Sequence, residues 1–323
     1  MKPFTCAVVG ASGMVGKMFI KVLEERNLPI SKLYLFASER SAGLEIMYKN
    51  KPLIIETLTP DAFDQGIEFA LFGADNETAR KYAVIAREKG TIVIDNSSAW
   101  RMEEDVPLVV PEVNAEDLKL HKGIIANPNC CAAPAVVVLK PLLDKYGLRR
   151  VVISTYQSVS GAGVGGIADL ESGTHATFPH PIQGNIIPHI DNFHADGYTG
   201  EEVKLIQECR KMLHLPDLPI TATCVRVPVK FGHSLSMNIE LESEFDLPKI
   251  HQLFSDTGIQ TYTSYPMPLT VAGTDTVHAG RIRRDNTVKN GLNIWVVADN
   301  TRKGAATNAV QILESLIYVP VHL

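Results

Sequence analysis

Read for its apolar and polar positions, the chain falls into two regions of different rhythm. In the first, short apolar runs alternate with amphipathic stretches of helix length. Thr5-Cys6-Ala7-Val8-Val9 is closed by a glycine turn and followed by an amphipathic segment through Glu25. Lys32 to Phe36, Ile67 to Phe72 and Thr91 to Ile94 repeat the strand signal, as does Gly123 to Ala126. Glu77 to Lys89 reads as a helix with Lys and Arg on its outer face. Uninterrupted apolar strands alternating with helices are those of a parallel sheet covered on both faces.

After the apolar run Ala135 to Leu139 the character changes. Val151 to Tyr156, Thr221 to Val229, Ser236 to Leu241 and Asn293 to Ala298 are rich in β-branched residues. Few helices intervene apart from Glu201 to Leu213 and Lys249 to Phe254, so a mixed or antiparallel sheet is expected. The last segment, to about Leu316, places Ala309, Ile312, Leu313 and Leu316 on one helical face that could pack back on the first domain. The expected fold is an α/β Rossmann-type dinucleotide-binding domain over 1–128, completed by a C-terminal helix at 302–323, with an α+β domain over 129–301.

Composition narrows the classes. The chain has 323 residues, enough for two domains, with 45% hydrophobic and 21% charged residues. A net charge of −5 and the lack of any basic run give no support for nucleic-acid binding. No apolar run reaches the ~20 residues that cross a bilayer. Met1-Lys2-Pro3-Phe4 leads straight into a strand with no signal-peptide pattern, so a cytoplasmic enzyme is expected. The five cysteines have neither disulfide-framework nor zinc-ligand spacing, and no metal is expected.

Six stretches carry candidate chemistry. Gly10-Ala11-Ser12-Gly13-Met14-Val15-Gly16 lies between a strand and a helix, the context of a dinucleotide fingerprint. Gly10 suits the tight turn, Gly13 the approach of backbone N–H groups to a pyrophosphate, and Gly16 close helix–strand packing. A glycine-rich turn that binds nothing is the alternative. At the end of the next strand, Ser38, Arg40 and Ser41 surround Glu39, a set that suits the 2′-phosphate of NADP. Arg101 follows a further strand and could meet an anion by a bidentate contact.

The fourth stretch is Asn127-Pro128-Asn129-Cys130-Cys131-Ala132-Ala133-Pro134, a strand-to-helix junction. A cysteine at a helix start is biased toward thiolate, although a small buried hydrophobe is the commoner fate of a free thiol. The fifth joins Arg226, a cation in mid-strand that must find solvent or an anion, to His233, a candidate base for Cys130. The glycine-rich Ser158 to Gly163 reads as a loop that comes close to a ligand.

Taken in order, these stretches resemble the aspartate-β-semialdehyde dehydrogenase family. The resemblance rests on 10–16, Ser-Ala-Gly at 41–43, Asn-Ser-Ser-Ala-Trp-Arg-Met at 96–102 and Val-Pro-Glu-Val-Asn at 110–114. It continues through Asn-Pro-Asn-Cys at 127–130, Gln-Ser-Val-Ser-Gly-Ala-Gly at 157–163 and Glu201-x-x-Lys204. Arg226-Val-Pro-Val, Gly232-His233-Ser234 and Asp-Asn-x-Arg-Lys-Gly-Ala-Ala at 299–306 complete it.

The resemblance implies a homodimeric, glyceraldehyde-3-phosphate dehydrogenase-like enzyme. Its implied reaction is the reversible conversion of L-aspartate 4-semialdehyde, NADP and inorganic phosphate to 4-phospho-L-aspartate and NADPH, within amino-acid biosynthesis. It implies Cys130 as nucleophile, His233 as proton acceptor and donor, and Gln157 as the residue orienting the intermediate. Arg226 would bind the substrate carboxylate and Arg101 and Lys204 phosphate, with Asn129 and Glu201 in the substrate pocket. Gly10, Ser12, Gly13, Met14, Val15, Ser38, Arg40, Ser41, Ser160, Gly161 and Asn300 would contact the cofactor.

Two departures stand out: Cys131, where the family often has Ser or Thr, and Gln183-Gly184-Asn185 in place of a more apolar run. The alternatives are an N-acetyl-γ-glutamyl-phosphate reductase and a non-catalytic paralogue.

Overall fold

The apolar run at the N-terminus forms β1 (Phe4–Val9) in the interior of a six-stranded parallel sheet, with Cys6, Ala7, Val8 and Val9 fully buried. The structure, a computed structural model, describes residues 2–318. Two compact units divide the chain, the first running through Pro128 and resuming at Ala305, the second running from Asn129 to Gly304.

In the first unit β1 is followed by α1 (Met14–Glu25), β2 (Ile30–Ala37), the short hairpin β3 (Glu45–Tyr48) and β4 (Lys51–Ile54), and β5 (Glu56–Thr57). Then come β6 (Phe69–Phe72), α2 (Asn76–Glu88), β7 (Ile92–Asp95), α3 (Pro111–Asn114) and β8 (Ile124–Ala126). The sheet order is β5-β2-β1-β6-β7-β8 with every pairing parallel. The order reverses between β1 and β6, so the loop after β1 lies at the switch point where such sheets bind ligands. Helix α1 buries Gly16, Phe19, Ile20 and Leu23, a stripe at three- and four-residue spacing that faces the core.

The second unit contains α4 (Ala132–Tyr146), β9 (Leu148–Gln157), α5 (Gly163–Ser172), α6 (Gly200–Met212), β10 (Ile220–Arg226) and β11 (His233–Leu241). It ends with α7 (Leu247–Asp256), β12 (Gln260–Thr261), α8 (Pro268–Val271), β13 (His278–Asp285) and β14 (Gly291–Ala298). Its sheet is mixed, in the order β10-β9-β11-β14-β13-β12. Along β9 the buried side chains Val151, Ile153, Thr155 and Gln157 alternate with the more exposed Val152, Ser154 and Tyr156. Helices α4, α6 and α7 pack on this sheet. After it a π-helical turn (Arg302–Ala306) leads into α9 (Thr307–Tyr318), which buries Ala309, Val310, Ile312 and Leu313 and packs on α1.

Three sequence expectations change. The strand expected over Thr221 to Val229 stops at Arg226, because Pro228 has no N–H to offer a ladder and Val227–Val229 turn away. The glycine-rich loop closes as a short turn over Val159–Ala162 and runs into α5, whose three glycines hid it from propensity. Strand β13 was masked by Arg281, Arg283 and Arg284, which break the apolar alternation.

Candidate active site

The nucleophile candidate is set by a cap. The Asn129 Oδ1 accepts the backbone N–H groups of Cys131 (2.8 Å) and Ala132 (3.3 Å), satisfying donors that open α4. Its own N–H donates to the buried Glu208 (2.6 Å) and its Nδ2 to Glu201 (2.9 Å), so Asn129 is locked by α6. Cys130 is half-buried, whereas Cys131 and the other three cysteines are buried. The Cys130 thiol is held well below the usual range, first by a hydrogen bond from the Cys131 thiol, with further contributions from His233 and Arg226 against the opposing effect of burial. Cys131 moves the other way, pushed up by burial and by its neighbour. Gly304 lies against this turn: a Cβ there would stand 3.0 Å from the Cys130 carbonyl oxygen and 3.1 Å from its Cβ.

His233 opens β11 and is fully buried. Its Nδ1 accepts the backbone N–H of Ser158 at 3.0 Å and lies 3.0 Å from the Ser158 Oγ. Its Nε2 has no hydrogen-bond partner among the described residues. The Asn300 Oδ1 gathers the surroundings, accepting from Gly232 N–H (3.0 Å), Ser158 Oγ (3.0 Å) and Ser160 Oγ (3.2 Å). Gly161 closes the other side, since a Cβ there would be 2.7 Å from Arg226 Nη1 and 3.2 Å from His233 Nε2.

Arg226 and Gln157 are paired positions on the parallel strands β10 and β9. Arg226 is 5% exposed, and its Nη1 donates to the Ser158 carbonyl at 2.8 Å while its Nε meets no acceptor among the described residues. Burial pulls its pKa down from the ordinary arginine value. The guanidinium carbon sits 5.7 Å from the Phe178 ring centroid. Phe178 is fixed by Asp169, whose carboxylate accepts Thr174 Oγ1 (2.7 Å) and the N–H groups of Ala176 (2.9 Å), Thr177 (2.7 Å) and Phe178 (3.3 Å). The Gln157 Nε2 donates to Glu201 at 3.1 Å, so Gln157, Glu201 and Asn129 share one carboxylate. Lys204, one turn along α6, pairs with Asp191 at 2.5 Å.

The second unit thus collects Asn129, Cys130, Gln157, Ser160, Gly161, Glu201, Arg226, His233 and Asn300. Other sequence candidates belong to the first. Arg101 is buried, donating from Nε to the Asn127 carbonyl (2.9 Å) and from Nη2 to that of Asn96 (2.7 Å). Gly10 takes a φ of +78°, and Ser12, Gly13, Met14 and Val15 are half-exposed at the start of α1. A Cβ on Gly16 would come 2.1 Å from the Gly10 oxygen, so the turn tolerates only glycine there. Ser38 and Arg40 are exposed and Ser41 half-exposed at the carboxyl end of β2. Sequence reasoning gave no role to Ser158, Gly304, Phe178 or Asp169; the first two lay inside quoted motifs, and the last two had no local signal.

Comparison with known proteins gives the family. Residues 5–121 match the family described as semialdehyde dehydrogenase, NAD binding domain, and residues 139–303 that described as semialdehyde dehydrogenase, dimerisation domain. The aspartate-semialdehyde dehydrogenase of Aquifex aeolicus is 49% identical, over 97% of this chain and 98% of that protein. The solved structure of aspartate semialdehyde dehydrogenase II from Vibrio cholerae complexed with ASA superposes with a TM-score of 0.97 at 40% identity, covering 99% of this chain and all of that one. That of the Candida albicans enzyme with NADP gives 0.81 at 26% identity, covering 99% of this chain and all of that one. No helix among the described residues is long and apolar enough to cross a membrane. With both domains matched and a near-full-length relative this similar, the chain belongs to the aspartate-semialdehyde dehydrogenase family.

Proposed function

We propose that the chain interconverts L-aspartate 4-semialdehyde and 4-phospho-L-aspartate with NADP and inorganic phosphate, reduction being the biosynthetic direction. The observation that carries this reading is the Cys130 sulfur at the Asn129-capped start of α4, within 4.8 Å of a ring nitrogen of His233. The sulfur attacks the aldehyde carbon, a C–S bond forms, and the former carbonyl oxygen becomes the hydroxyl of a thiohemiacetal. What a bound nicotinamide supplies is hydride exchange at that carbon, relating thiohemiacetal to thioester. A phosphate oxygen then attacks the thioester carbon, the C–S bond breaks, and the thiolate returns.

The chain's own residues divide the remaining work. Arg226, with its Nε uncommitted, takes the substrate carboxylate. Gln157 orients the intermediate, His233 handles the proton on its oxygen, and Asn129 and Glu201 line the pocket. Arg101 and Lys204 hold phosphate, Lys204 exchanging its Asp191 partner for it. The turn at Gly10, with Ser12 to Val15 at the start of α1, suits a pyrophosphate. Ser38, Ser41 and the exposed Arg40 suit the 2′-phosphate, which favours NADP over NAD. Ser160, Gly161 and Asn300 lie next to His233, where the reactive end of the cofactor belongs.

We also propose a cytoplasmic homodimer, formed through the sheet face that carries Tyr156 and Trp295, whose rings lie 5.4 Å apart. The test of the activity is phosphate-dependent reduction of NADP by aspartate semialdehyde, with wild type and Cys130→Ala side by side. Wild type should lose its rate when phosphate is withheld, and Cys130→Ala should fall by about 10⁴-fold or more with its fold intact. An active alanine variant, or a preference for N-acetylglutamate semialdehyde, would overturn the reading.

A further inference from the structure

We propose that Ser158 is a positioning residue that sets where His233 carries its proton. A backbone N–H can only donate, and the Ser158 N–H points at His233 Nδ1 from 3.0 Å. In the neutral ring Nδ1 is therefore the acceptor and Nε2 carries the hydrogen. Nε2 is the ring nitrogen with no other partner, beside Gly161, and a ring nitrogen of His233 lies within 4.8 Å of both cysteine sulfurs. In the resting site Nε2 then presents a hydrogen, not a lone pair, on the side of the Cys130 sulfur, and His233 is not the base for that thiol. The Cys130 proton leaves to solvent, and the groups around the sulfur, the Cys131 thiol first among them, favour the ionised form that remains.

The second half of the inference concerns the reaction, and rests on the thiohemiacetal chemistry proposed above. In the oxidative direction the aldehyde oxygen takes the Nε2 hydrogen as the C–S bond forms, while Nδ1 takes up from solvent a proton equivalent to the one Cys130 released on ionising. The ring is then in its other tautomer, with Nε2 bare, and Nε2 accepts the hydroxyl's proton as hydride leaves. The Nδ1–H of that tautomer needs an acceptor, and the Ser158 Oγ lies 3.0 Å from the same nitrogen. Asn300 Oδ1, which can only accept, takes the hydroxyl's own hydrogen at 3.0 Å and leaves an Oγ lone pair for Nδ1–H. One residue thus supplies both partners, its amide for the resting tautomer and its hydroxyl for the working one.

The test is a nitrogen-15 NMR spectrum of the histidine-labelled, unliganded enzyme near neutral pH, with the His233 signals assigned by their loss in His233→Asn. The expected spectrum shows Nδ1 unprotonated and Nε2 protonated; a protonated Nδ1 in the neutral ring overturns the proposal. Ser158→Ala keeps the amide and loses the hydroxyl. It should retain the resting tautomer and the ultraviolet thiolate absorbance, while oxidative kcat falls about 10- to 100-fold and KM stays within about twofold. A wild-type kcat in that variant also overturns it. Proton placement as proposed in an enzyme that ignores aspartate semialdehyde would refute the substrate reading and leave the resting tautomer standing.

Discussion

The Cys130 and Cys131 sulfurs lie within 4.8 Å of one another, and the Cys131 thiol, as hydrogen-bond donor, stands first among the influences that hold Cys130 low. A hydrogen bond to a charged group favours the charged form. Cys131→Ala should therefore move the onset of Cys130 alkylation by iodoacetamide upward in pH. The sign follows from the depressed value: the thiolate is present above the lowered pKa and is lost as pH falls through it. Near neutral pH the alanine variant should react several-fold to tenfold more slowly. Cys131→Ser keeps a donor and should lie close to wild type; equal losses in the two variants would show that packing, not the hydrogen bond, is what Cys131 provides.

Arg40 is exposed at the end of β2, on the short turn Glu39–Ser41. If it reads the 2′-phosphate, Arg40→Ala should raise KM for NADP by about tenfold and leave KM for NAD unchanged. Because the cation is exposed, the difference should shrink as ionic strength rises and screening shortens its reach. Equal effects on the two cofactors would remove Arg40 from the 2′-phosphate site.

How much of this was legible in the sequence depended on how local each signal was. The parallel sheet could be read because β1, β6 and β7 are buried on both faces and so appear as unbroken apolar runs next to a glycine turn. Strand β13 could not, because its three arginines give a strand no hydrophobic alternation. Arg226 drew notice as a cation in mid-strand, and the fold buries it. The surroundings of His233 were hidden for a different reason. Ser158 meets Asn300 across 142 positions of sequence, and no local pattern encodes a pairing that the sheet register alone creates.

Asp169 shows how such distant support should be felt at the site. Its carboxylate is held at a pKa of about 2, first by the Thr174 hydroxyl and then by backbone N–H groups, among them that of Phe178. Asp169→Asn replaces one accepting oxygen by a donor facing those N–H groups. Phe178 should then release its hold on Arg226, and KM for the semialdehyde should rise roughly three- to tenfold with kcat less affected. The folded value lies below the unfolded ~3.9, so the wild-type anchor is complete above that pH and is lost as pH falls toward about 2. Hydrogen exchange at Ala176 to Phe178 should accordingly differ between variant and wild type near neutrality and converge in acid. An unchanged KM would separate the loop from substrate binding.

Gly304 provides the most direct way to move the nucleophile without touching its chemistry. It sits in the π-helical turn Arg302–Ala306, and an added Cβ would meet the Cys130 oxygen, Cβ and Cα at 3.0, 3.1 and 3.2 Å. Two of these three atoms are backbone, fixed from the other side by the Asn129 cap, so the methyl of Gly304→Ala cannot be accommodated by a side-chain rotation. The turn carrying Cys130 has to shift by a few tenths of an ångström. Displacements of about 1 Å at a reacting atom cost about 100-fold in rate, so for a few tenths of that kcat should fall by roughly three- to tenfold. Substrate contacts through Arg226 and Gln157 are carried by β10 and β9 and not by the displaced turn itself, so KM should move less than kcat. The melting temperature should drop by only a few degrees, as expected for mild overpacking of about 1 kcal/mol. A variant with wild-type kcat would mean that Cys130 tolerates the shift, and that Gly304 serves the packing of α4 and not the placement of its sulfur.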